Sequence, residues 1–588
     1  MSATALFRPV DIASWDVSIE QEASGAWRVS PVGKLGEYPV RVTDALDHWA
    51  AAEPERTFLA KRGGDGEWVR LTYADFRRRA RNVAQWLIDT GLDAERPVAI
   101  LSGNDLEHAV LGMGAMYAGI PYAPVSPAYS LVSTDFAKLR HVFSILNPGL
   151  VFAADAAQFG RAIEAVVPEA ARVVAVRGNG IPFASLASAE ATEAVDRATA
   201  SVSAESVAKI LFTSGSAGVP KGVINTHGML CSNQEMLRTV FRFIREQPPV
   251  ICDWLPWHHT FGGNHNFGLV LFNGGTLYID GGRPMAGAFS ETVRNLREIA
   301  TTAYFNVPKG YEMLVEHLRA DQALRRQFFS QISMTFYAAA GLSQHVWDAL
   351  DELAVASCGY RIPMLTGLGA TETAPFAICA RKETARAGVV GLPVPGVELK
   401  LVPVEGKLEA RVKGPNVTPG FWRQPELTSA AFDEDGYYKL GDALRFLDAD
   451  DPRKGFVFDG RIAEDFKLST GVWVSVGPLR ARFLHHAAPW VRDVVFAGHD
   501  RDEVTALIFP GDEASAATTQ AVLRDFARQS TGSSTRIVRA IMIEEQPSID
   551  AGEITDKGSI NQRAVLTRRA ELVERLYADP MPEGVISI

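Results

Sequence analysis

Hydrophobic and polar positions alternate along the first third of the chain as short apolar runs and amphipathic stretches. Apolar residues recur every three to four positions over residues 71–87, which predicts an amphipathic helix. An apolar run at 97–101, a helix over about 105–118 and a strand at 122–125 then predict a β-α-β unit. Repetition of this unit is typical of a parallel sheet covered on both faces by helices. We therefore expect ligands at the carboxyl ends of its strands.

The pattern changes in the last third of the chain. After Val389, short β-like runs separated by Gly and Pro predict a small β-rich subdomain over about 389–459. The Ala-, Ser- and Glu-rich residues 187–206 are interpreted as a surface connection. Beyond residue 460 an α+β pattern follows, with a hairpin of 490–496 and 504–509, a helix at 518–529, a strand at 537–543 and a basic helix near 561–577.

Length and composition bound the class of protein. A chain of 588 residues is too long for one hydrophobic core, so we expect at least two domains. With 47% hydrophobic and 22% charged residues, the composition is that of an ordinary soluble globular protein. A formal net charge of −10 argues against nucleic acid as a partner, while local basic clusters could still bind anionic ATP or CoA. An oligomer is compatible with the sequence, which does not specify one.

Signals for targeting and for disulfide bonds are sparse. The N-terminal residues lack the basic segment and apolar run of a signal peptide. The most apolar stretch, 109–125, is interrupted by Gly and Pro and is short for a membrane span, so we expect no membrane insertion. The four cysteines show no C-x-x-C spacing, which favours reduced thiols in a cytoplasmic protein.

Residues 211–228 (LFTSGSAGVPKGVINTHG) carry the strongest chemical signal. Small residues after a buried strand let the backbone approach an oxyanion closely. A flexible Gly/Ser connector is commoner, but it rarely ends in Pro-Lys-Gly before another apolar run. Pro220 and Gly222 do not fit the nucleotide P-loop pattern, which needs Gly-Lys followed by Ser or Thr. The predicted phosphate-binding residues are Thr213, Ser214, Gly215, Ser216, Gly218 and Lys221.

A second stretch, residues 365–375 (LTGLGATETAP), combines backbone access with oxygen ligands. Gly369 permits close approach, Thr371 offers a hydroxyl, and the Glu372 carboxylate is suited to Mg²⁺. In isolation, an ordinary turn with a capping Thr is the favoured interpretation. The second stretch supports a phosphate and Mg²⁺ site only when it is considered together with the first.

Two charged stretches follow. Asp442 comes at the end of YKLGD, where an ordinary strand and Gly-Asp turn is the alternative. Residues 459–476 (DGRIAEDFKLSTGVWVSV) contain four candidate residues, for which a charged surface turn is the alternative: Arg461, Glu464, Asp465 and Lys467.

Two single residues complete the candidates. His259 lies in WLPWHHTFGG, although a lone His in an apolar stretch is more often a packed core residue. Lys557 lies in GEITDKG, where a solvated loop lysine is the alternative.

In this order, the motifs resemble those of the adenylate-forming acyl-CoA synthetase superfamily, from about residue 72 to residue 563. The superfamily's usual phosphate signature is T-S-G-T-T-G-x-P-K-G, and Ser216 and Ala217 replace its two adjacent threonines. The sequences of residues 460–480 and 552–565 are most similar to those of the feruloyl-CoA synthase group.

The resemblance implies an α/β fold. A large N-terminal domain, residues 1–463, would hold the parallel α/β sheets and the β-rich subdomain. A small mobile α+β domain, residues 464–588, would follow and pivot about Glu464 and Asp465.

The resemblance also implies roles for the candidate residues. The loop and Thr371 would contact phosphate, Glu372 would hold Mg²⁺, and His259 would wall the acyl pocket. Asp442 would accept hydrogen bonds from the ribose hydroxyls.

The remaining roles divide between the two half-reactions. Arg461 would contact ribose or phosphate. Lys557 would serve the first half-reaction, which forms the adenylate. Lys467 would serve the second, which transfers the acyl group to CoA.

The implied activity is an ATP-dependent acid–CoA ligase that adenylates a hydroxycinnamic acid such as ferulate, caffeate or p-coumarate. The aromatic acid, ATP and CoA are the implied partners, with Mg²⁺. Other readings stay open at this point: a medium- or long-chain fatty acyl-CoA ligase, an adenylating module that loads a carrier protein, a luciferase-like monooxygenase and a catalytically idle binding protein.

Overall fold

The computed structural model describes residues 5–214, 219–555 and 558–588. The strands up to residue 306 are β1 (Val17–Gln21), β2 (Trp27–Pro31), β3 (Thr57–Arg62), β4 (Trp68–Thr72), β5 (Val98–Ile100), β6 (Tyr122–Pro124), β7 (Leu150–Asp155), β8 (Arg172–Arg177), β9 (Ile181–Pro182), β10 (Val207–Ser214), β11 (Pro220–Thr226), β12 (Val250–Asp253), β13 (Thr276–Ile279) and β14 (Ala303–Asn306). The later strands are β15 (Met334–Tyr337), β16 (Met364–Leu368), β17 (Ile378–Cys379), β18 (Val389–Pro393), β19 (Glu398–Val404), β20 (Lys407–Lys413), β21 (Tyr438–Phe446), β22 (Phe456–Arg461), β23 (Phe466–Lys467), β24 (Trp473–Val474), β25 (Val491–Ala497), β26 (Val504–Pro510), β27 (Ile537–Met542) and β28 (Val585–Ser587).

The helices alternate with these strands. Up to residue 272 they are α1 (Val42–Ala52), α2 (Tyr73–Asp89), α3 (Leu106–Tyr117), α4 (Ala128–Leu131), α5 (Ala137–Leu146), α6 (Gly160–Val166), α7 (Phe183–Ala187), α8 (Glu193–Ala200), α9 (His227–Val240), α10 (Phe243–Glu246) and α11 (Phe267–Phe272). The later helices are α12 (Phe289–Glu298), α13 (Pro308–Ala320), α14 (Gln322–Gln331), α15 (Gln344–Cys358), α16 (Pro425–Ala431), α17 (Val476–Ala487), α18 (Ala516–Arg528), α19 (Gln562–Arg568) and α20 (Ala570–Tyr577).

A seven-stranded sheet in the order β11-β10-β6-β5-β7-β8-β9 contains the predicted β-α-β unit. β5 pairs in parallel with β6 and with β7, and α3 connects β5 to β6. Every residue of α3 except Glu107 is buried, which confirms the prediction of a buried helix running into a strand. The predicted helix over 71–87 begins at Tyr73, where the Thr72 hydroxyl accepts a hydrogen bond from the Asp75 N–H (3.2 Å).

The edge of this sheet is an antiparallel hairpin. β11 pairs with β10, so Thr213 lies opposite Lys221 and Ser214 lies opposite Pro220. A strand rather than a helix therefore follows the predicted phosphate loop. This order differs from the strand–loop–helix of a nucleotide P-loop.

Two further sheets complete the N-terminal part. A four-stranded sheet has the order β12-β13-β3-β4, and an eleven-stranded sheet has the order β1-β2-β19-β20-β21-β22-β18-β17-β16-β15-β14. β14, β15 and β16 are parallel, whereas β18 to β22 are antiparallel. The strands over 389–459 are therefore part of a larger sheet, because β17 pairs with both β16 and β18.

Residues 466–588 have a sheet and hydrophobic cores of their own. β25 and β26 form the predicted hairpin, β27 is parallel to β26, and β28 closes the sheet. One core includes Phe483 and Phe526, and another includes Leu507 and Phe509. The basic helix predicted near 561–577 is two helices, because Arg569 separates α19 from α20.

Residues 187–206 lie largely at the surface, as expected of a surface connection, but the segment also contains α8, which was not predicted. Thr192 caps this helix by accepting a hydrogen bond from the Ala194 N–H (3.2 Å). Only Val195 of α8 is buried, so the sequence shows no apolar stripe. All four cysteines are free thiols. Across the described ranges, the helices are too short or too polar to cross a bilayer.

Candidate active site

The base of the predicted phosphate loop is a pair of facing residues on the β10–β11 hairpin. Thr213 lies opposite Lys221. The Thr213 Oγ1 atom is buried and has no hydrogen-bond partner among the residues that the structure describes. Because an unpaired buried hydroxyl is costly, this atom is suited to a polar ligand. Gly215, Ser216 and Gly218 lie outside the described residues, as does the side chain of Ser214.

Lys221 connects this hairpin to the second predicted motif. Its Nζ atom lies 3.1 Å from Glu372 Oε1. The same ammonium lies 4.3 Å from the centroid of the Phe421 ring, a cation–π contact. The Lys221 side chain remains 25% exposed, so its charge is accessible from solvent.

The loop after β16 holds Thr371 and Glu372 in a short 3-10 turn. Glycine is required at residue 369, because a Cβ there would lie 1.7 Å from a carbonyl oxygen of the same loop. Two buried amides fix the loop from outside. Asn416 Nδ2 donates to one loop carbonyl (2.7 Å) and Asn233 Nδ2 donates to another (2.8 Å). Glu372 is thus held on a rigid backbone.

Glu372 also lies next to the strand that carries Asp442. The Tyr438 hydroxyl faces the Glu372 carboxylate, and burial followed by this negative charge raises the pKa of Tyr438. The Thr418 N–H donates to the Glu372 carbonyl oxygen (2.8 Å). Sequence reasoning did not select Tyr438, although the residue lies in the motif that contains Asp442.

Asp442 and Arg461 form a pair across two neighbouring strands. They are direct partners of β21 and β22, and Arg461 Nε lies 3.4 Å from Asp442 Oδ1. The Asp442 side chain is 11% exposed, whereas that of Arg461 is 63% exposed. Burial raises the pKa of Asp442 to about 6, and the charge of Arg461 opposes this shift.

The predicted hinge is anchored by a lysine that sequence reasoning missed. Asp465 contacts Lys407 Nζ, and its Oδ1 accepts a hydrogen bond from the Val476 N–H (2.8 Å). Lys407 also donates to Ser475 Oγ (2.9 Å). Burial raises the pKa of Asp465. Glu464 lies at the surface side, with Oε1 at 3.8 Å from Arg461 Nη1. Nothing in the spacing of Lys407 in the sequence indicates this contact.

The two predicted catalytic lysines lie in the C-terminal part of the chain. Lys467 is exposed on β23. Lys557 lies outside the described residues. The described start of its loop is fixed by Glu553, whose fully buried carboxylate contacts Arg569 (2.6 Å) and Arg568 (2.8 Å). Glu553 is therefore a structural anchor of the GEITDKG motif.

The same loop contacts the N-terminal part. Asp550 Oδ2 accepts hydrogen bonds from the Thr134 N–H (3.0 Å) and hydroxyl (2.8 Å). Lys138 Nζ donates to the Ile549 carbonyl oxygen (2.6 Å). The segment before Lys557 thus lies on α5 and the loop that precedes it.

His259 lies in the turn before a π-helix, Phe261–Asn266. Its ring is half-buried and 4.2 Å from that of His258. The His259 carbonyl oxygen accepts a hydrogen bond from the Gly263 N–H (2.8 Å). The more deeply buried histidine of this segment is His265, which sequence reasoning did not select.

The structure thus brings Thr213, Lys221, Glu372 and Asp442 to one region, with Arg461 at its exposed side. In the described part of the chain, no group of three or more His, Cys, Asp or Glu side chains could hold a metal ion by itself. Nucleotide-bound Mg²⁺ commonly uses one or two carboxylates together with substrate phosphates. The Glu372 carboxylate, which contacts the lysine opposite Thr213, fits that shared mode of binding.

Two family models match most of the chain. Residues 46–422 match the model of the AMP-binding enzyme, and residues 466–580 match that of the AMP-binding enzyme C-terminal domain. The chain therefore belongs to the AMP-binding enzyme family. The predicted membership of the adenylate-forming superfamily is confirmed.

Three relatives show the range of this similarity. A probable CoA ligase of Humulus lupulus is 27% identical over 331 residues, covering 53% of this chain and 53% of that protein. A carboxylic acid reductase of Segniliparus rugosus is 25% identical, covering 70% of this chain and 36% of that protein. A 4-hydroxybenzoate/benzoate CoA ligase of Rhodopseudomonas palustris is 24% identical, covering 74% and 78%. The match spans about half the length, or less, of the first two relatives.

Solved structures share the fold. An anthranilate CoA ligase in complex with anthranoyl-AMP has a TM-score of 0.74 at 20% identity, covering 92% of this chain and 99% of that one. ATP-bound MatB from Rhodopseudomonas palustris has a TM-score of 0.70 at 23% identity, covering 90% and 99%. The predicted fold, a large α/β N-terminal domain followed by a small C-terminal domain, is confirmed.

Proposed function

We propose that this protein is an ATP-dependent acid–CoA ligase that activates a hydroxycinnamic acid such as ferulate, caffeate or p-coumarate. The observation that carries the proposal is the Lys221–Glu372 pair at 3.1 Å. Opposite Lys221 lies Thr213, whose buried hydroxyl has no partner among the described residues. A cation, a carboxylate and a hydroxyl donor are the groups that ATP phosphates and a divalent ion require. Asp442 supplies two acceptor oxygens for ribose hydroxyls.

The reaction divides into two displacement steps. A carboxylate oxygen of the acid attacks the α-phosphorus of ATP, and the bond to pyrophosphate breaks. The CoA thiol then attacks the acyl carbon and gives up its proton, and AMP leaves. Catalysis of both steps is mainly positioning and neutralisation of charge. Lys221 neutralises the departing pyrophosphate, and Glu372 holds Mg²⁺, which supplies further positive charge to the phosphates when it is bound.

The remaining site assignments complete the proposal. The loop residues Gly215, Ser216 and Gly218 bind phosphate through backbone N–H groups, and Gly369 leaves room for the nucleotide. Residues 464–588 rotate against residues 1–463 about Glu464 and Asp465. The separate cores of residues 466–588 support this division.

An aromatic acid is favoured by two observations. The wall that follows His259 is built from phenylalanine rings around a buried histidine. A relative carries a name that specifies 4-hydroxybenzoate and benzoate. We propose that His259 forms one wall of the acid site.

A panel of acids and acceptors tests this function. The protein is incubated with ATP, Mg²⁺ and ferulate, caffeate, p-coumarate, benzoate or decanoate, with CoA or a carrier protein as acceptor. Pyrophosphate release and thioester formation are followed separately. We expect thioester formation with hydroxycinnamates and CoA. Preference for decanoate would show that the substrate is a fatty acid and not a hydroxycinnamic acid. Formation of acyl-AMP without any CoA thioester would reject the ligase activity.

The role of Lys557 has its own test. Because we assign this lysine to the first half-reaction only, Lys557→Ala should abolish adenylate formation. The same variant should retain thioester formation from supplied feruloyl-AMP. Lys467→Ala is the matched comparison, with the opposite pattern expected. Equal loss of both half-reactions in Lys557→Ala would contradict the assignment.

A further inference from the structure

His265 lies in the π-helix that follows His259 and is enclosed by aromatic rings. Its side chain is 1% exposed. It stacks on Phe336 at 5.5 Å between centroids, and Phe305, Phe261 and Phe376 approach it at 5.3, 5.4 and 5.9 Å. We call these four rings the phenylalanine shell. A polar ring in so apolar a site needs hydrogen-bond partners.

One nitrogen of His265 has such a partner, and the partner fixes its tautomer. Asn266 Nδ2 donates to Asp253 Oδ2 (2.8 Å), so the Asn266 Oδ1 atom is the acceptor that faces His265. His265 Nδ1 lies 2.8 Å from this Oδ1 and therefore carries the proton. Burial lowers the pKa of His265 to about 4, so the ring is neutral at pH 7.

The other nitrogen is left as an unpaired acceptor. With the proton on Nδ1, Nε2 presents a lone pair. This atom is buried and has no hydrogen-bond partner in the described ranges of the chain. A buried acceptor without a partner is rare in native proteins and calls for a ligand group or an internal water.

The phenylalanine shell lies beside the proposed site for the acid. Phe305 and Phe336 come from the carboxyl-terminal halves of the parallel strands β14 and β15. Phe376 follows Glu372 by four residues, on the loop that Asn233 holds. A Cβ at Gly367 of β16 would lie 3.4 Å from the Phe336 ring, so the shell adjoins the strand that leads to Glu372.

We propose that His265 Nε2 accepts a hydrogen bond from a hydroxyl group on the ring of the acid, which makes His265 a specificity-determining residue. The proposal rests on the proposed ligase function and narrows its substrate class to aromatic acids that carry a hydroxyl donor. The shell supplies apolar contact to the aromatic ring. Asp253 and Asn266 are positioning residues, because they hold the His265 tautomer in which Nε2 is an acceptor.

Matched acids test the acceptor directly. The kcat/KM of acyl-CoA formation is measured for cinnamates with hydroxyl, methoxy or hydrogen at ring positions 3 and 4. A methoxy oxygen can accept but cannot donate a hydrogen bond. We expect the parent protein to favour hydroxyl over methoxy by roughly 10-fold or more at one of the two positions.

Two variants of His265 separate hydrogen bonding from packing. His265→Phe keeps an aromatic ring but removes the acceptor, and it should bring the hydroxyl-to-methoxy ratio to within about 2-fold of unity. His265→Gln keeps an acceptor oxygen and should retain part of the preference. Thermal unfolding of each variant establishes that the protein is folded.

Reversing the direction of the hydrogen bonds from Asp253 through Asn266 to His265 gives a sharper test. In Asp253→Asn, the new amide donates to Asn266 Oδ1, and Asn266 Nδ2 turns to His265 Nδ1. The proton then moves to Nε2, which becomes a donor. We expect this variant to favour methoxy over hydroxyl, while its apparent affinity for ATP stays unchanged.

The outcomes distinguish the possible failures. If the parent forms thioesters of hydroxycinnamates but His265→Phe keeps the parent's ratio, Nε2 binds an internal water and the proposal is wrong. If Asp253→Asn folds and keeps the parent's preference, the proposed tautomer chain is wrong. If the parent forms no thioester with any aromatic acid, the ligase function itself fails and the proposal falls with it.

Discussion

Asp253 and Asp442 are both buried carboxylates, but their surroundings differ. Burial raises the pKa of Asp253 to about 7 and that of Asp442 to about 6. Asp253 is bound by neutral donors, the Asn266 amide (2.8 Å) and the Leu255 N–H (3.0 Å). Asp442 instead faces the guanidinium of Arg461, which is 63% exposed.

The difference shows that a raised pKa does not by itself identify a ligand-binding carboxylate. Both shifts have the same main cause, which is desolvation. Asp253 has its hydrogen bonds satisfied within the core and organises its neighbours. Asp442 faces an exposed, charged partner and lies near Glu372, so its oxygens are suited to an incoming ligand. Four predictions test this contrast.

The largest effect is expected at Asp442. Asp442→Asn keeps the shape but removes the charge of the proposed ribose acceptor, so kcat/KM for ATP should fall roughly 10- to 100-fold. The melting temperature should stay close to that of the parent, because the partner Arg461 is solvated. Steady-state kinetics with varied ATP measure the effect, and Asp450→Asn serves as an exposed control. Unchanged kinetics for ATP would contradict the ribose contact.

At Asp253 we expect a loss of stability without a loss of ATP affinity. Asp253→Leu leaves the Asn266 amide and the Leu255 N–H without their acceptor, so the free energy of unfolding should fall by about 1–3 kcal/mol. The apparent affinity for ATP should be retained. Denaturant unfolding and nucleotide titration measure the two quantities on the same samples. A loss of ATP affinity without a loss of stability would show that Asp253 belongs to the nucleotide site.

Over any single pH unit, the pH dependence of stability provides a smaller effect. Because the pKa of Asp253 is about 7 in the folded protein and near 4 when unfolded, the folded state holds an extra proton between these values. The free energy of unfolding should therefore fall as pH rises from about 4 to 7, by at most about 1.4 kcal/mol per pH unit for this group. Asp253→Asn should show a shallower fall. Parallel curves for parent and variant at pH 5, 6 and 7 would exclude the shift.

Lys209 gives a pH effect of the opposite sign. This lysine is buried, and its Nζ donates a hydrogen bond to the Gly263 carbonyl oxygen (3.0 Å). Burial lowers the pKa of Lys209 to about 7. The unfolded chain therefore binds the extra proton above pH 7, so stability should rise from about pH 7 toward pH 10. Lys209→Met should flatten this rise between pH 7 and 9. A rise of the same slope in the variant would assign it to other groups.

The sequence predicted the residues around Asp442 but not those around Asp253. Asp442, Arg461 and Glu372 were selected because each stands in a short local motif. Asp253 and His265 were not, because they are connected only through Asn266, whose amide reaches Asp253 across thirteen residues. Hydrophobic periodicity explains why α2 was predicted, and a continuous apolar run explains why α3 was. α8 was missed because it is short and buries only Val195.

The hinge shows the same limit. Asp465 stands in a recognisable motif, but Lys407, which holds its carboxylate, is fifty-eight residues away on β20. The sequence likewise placed β-rich runs after Val389 but not the sheet that they join. Strand pairing over such separations depends on the packing of the whole domain rather than on local pattern.

By itself, the sequence determined the α/β rhythm, the order of the nucleotide motifs and therefore the superfamily, because these depend on neighbouring residues. The tertiary structure alone decided which side chains meet. It paired Lys221 with Glu372, placed the Tyr438 hydroxyl of β21 against Glu372, and enclosed His265 in phenylalanine rings. Burial then raised the pKa of Tyr438 and lowered that of His265, since desolvation acts only once the chain has folded.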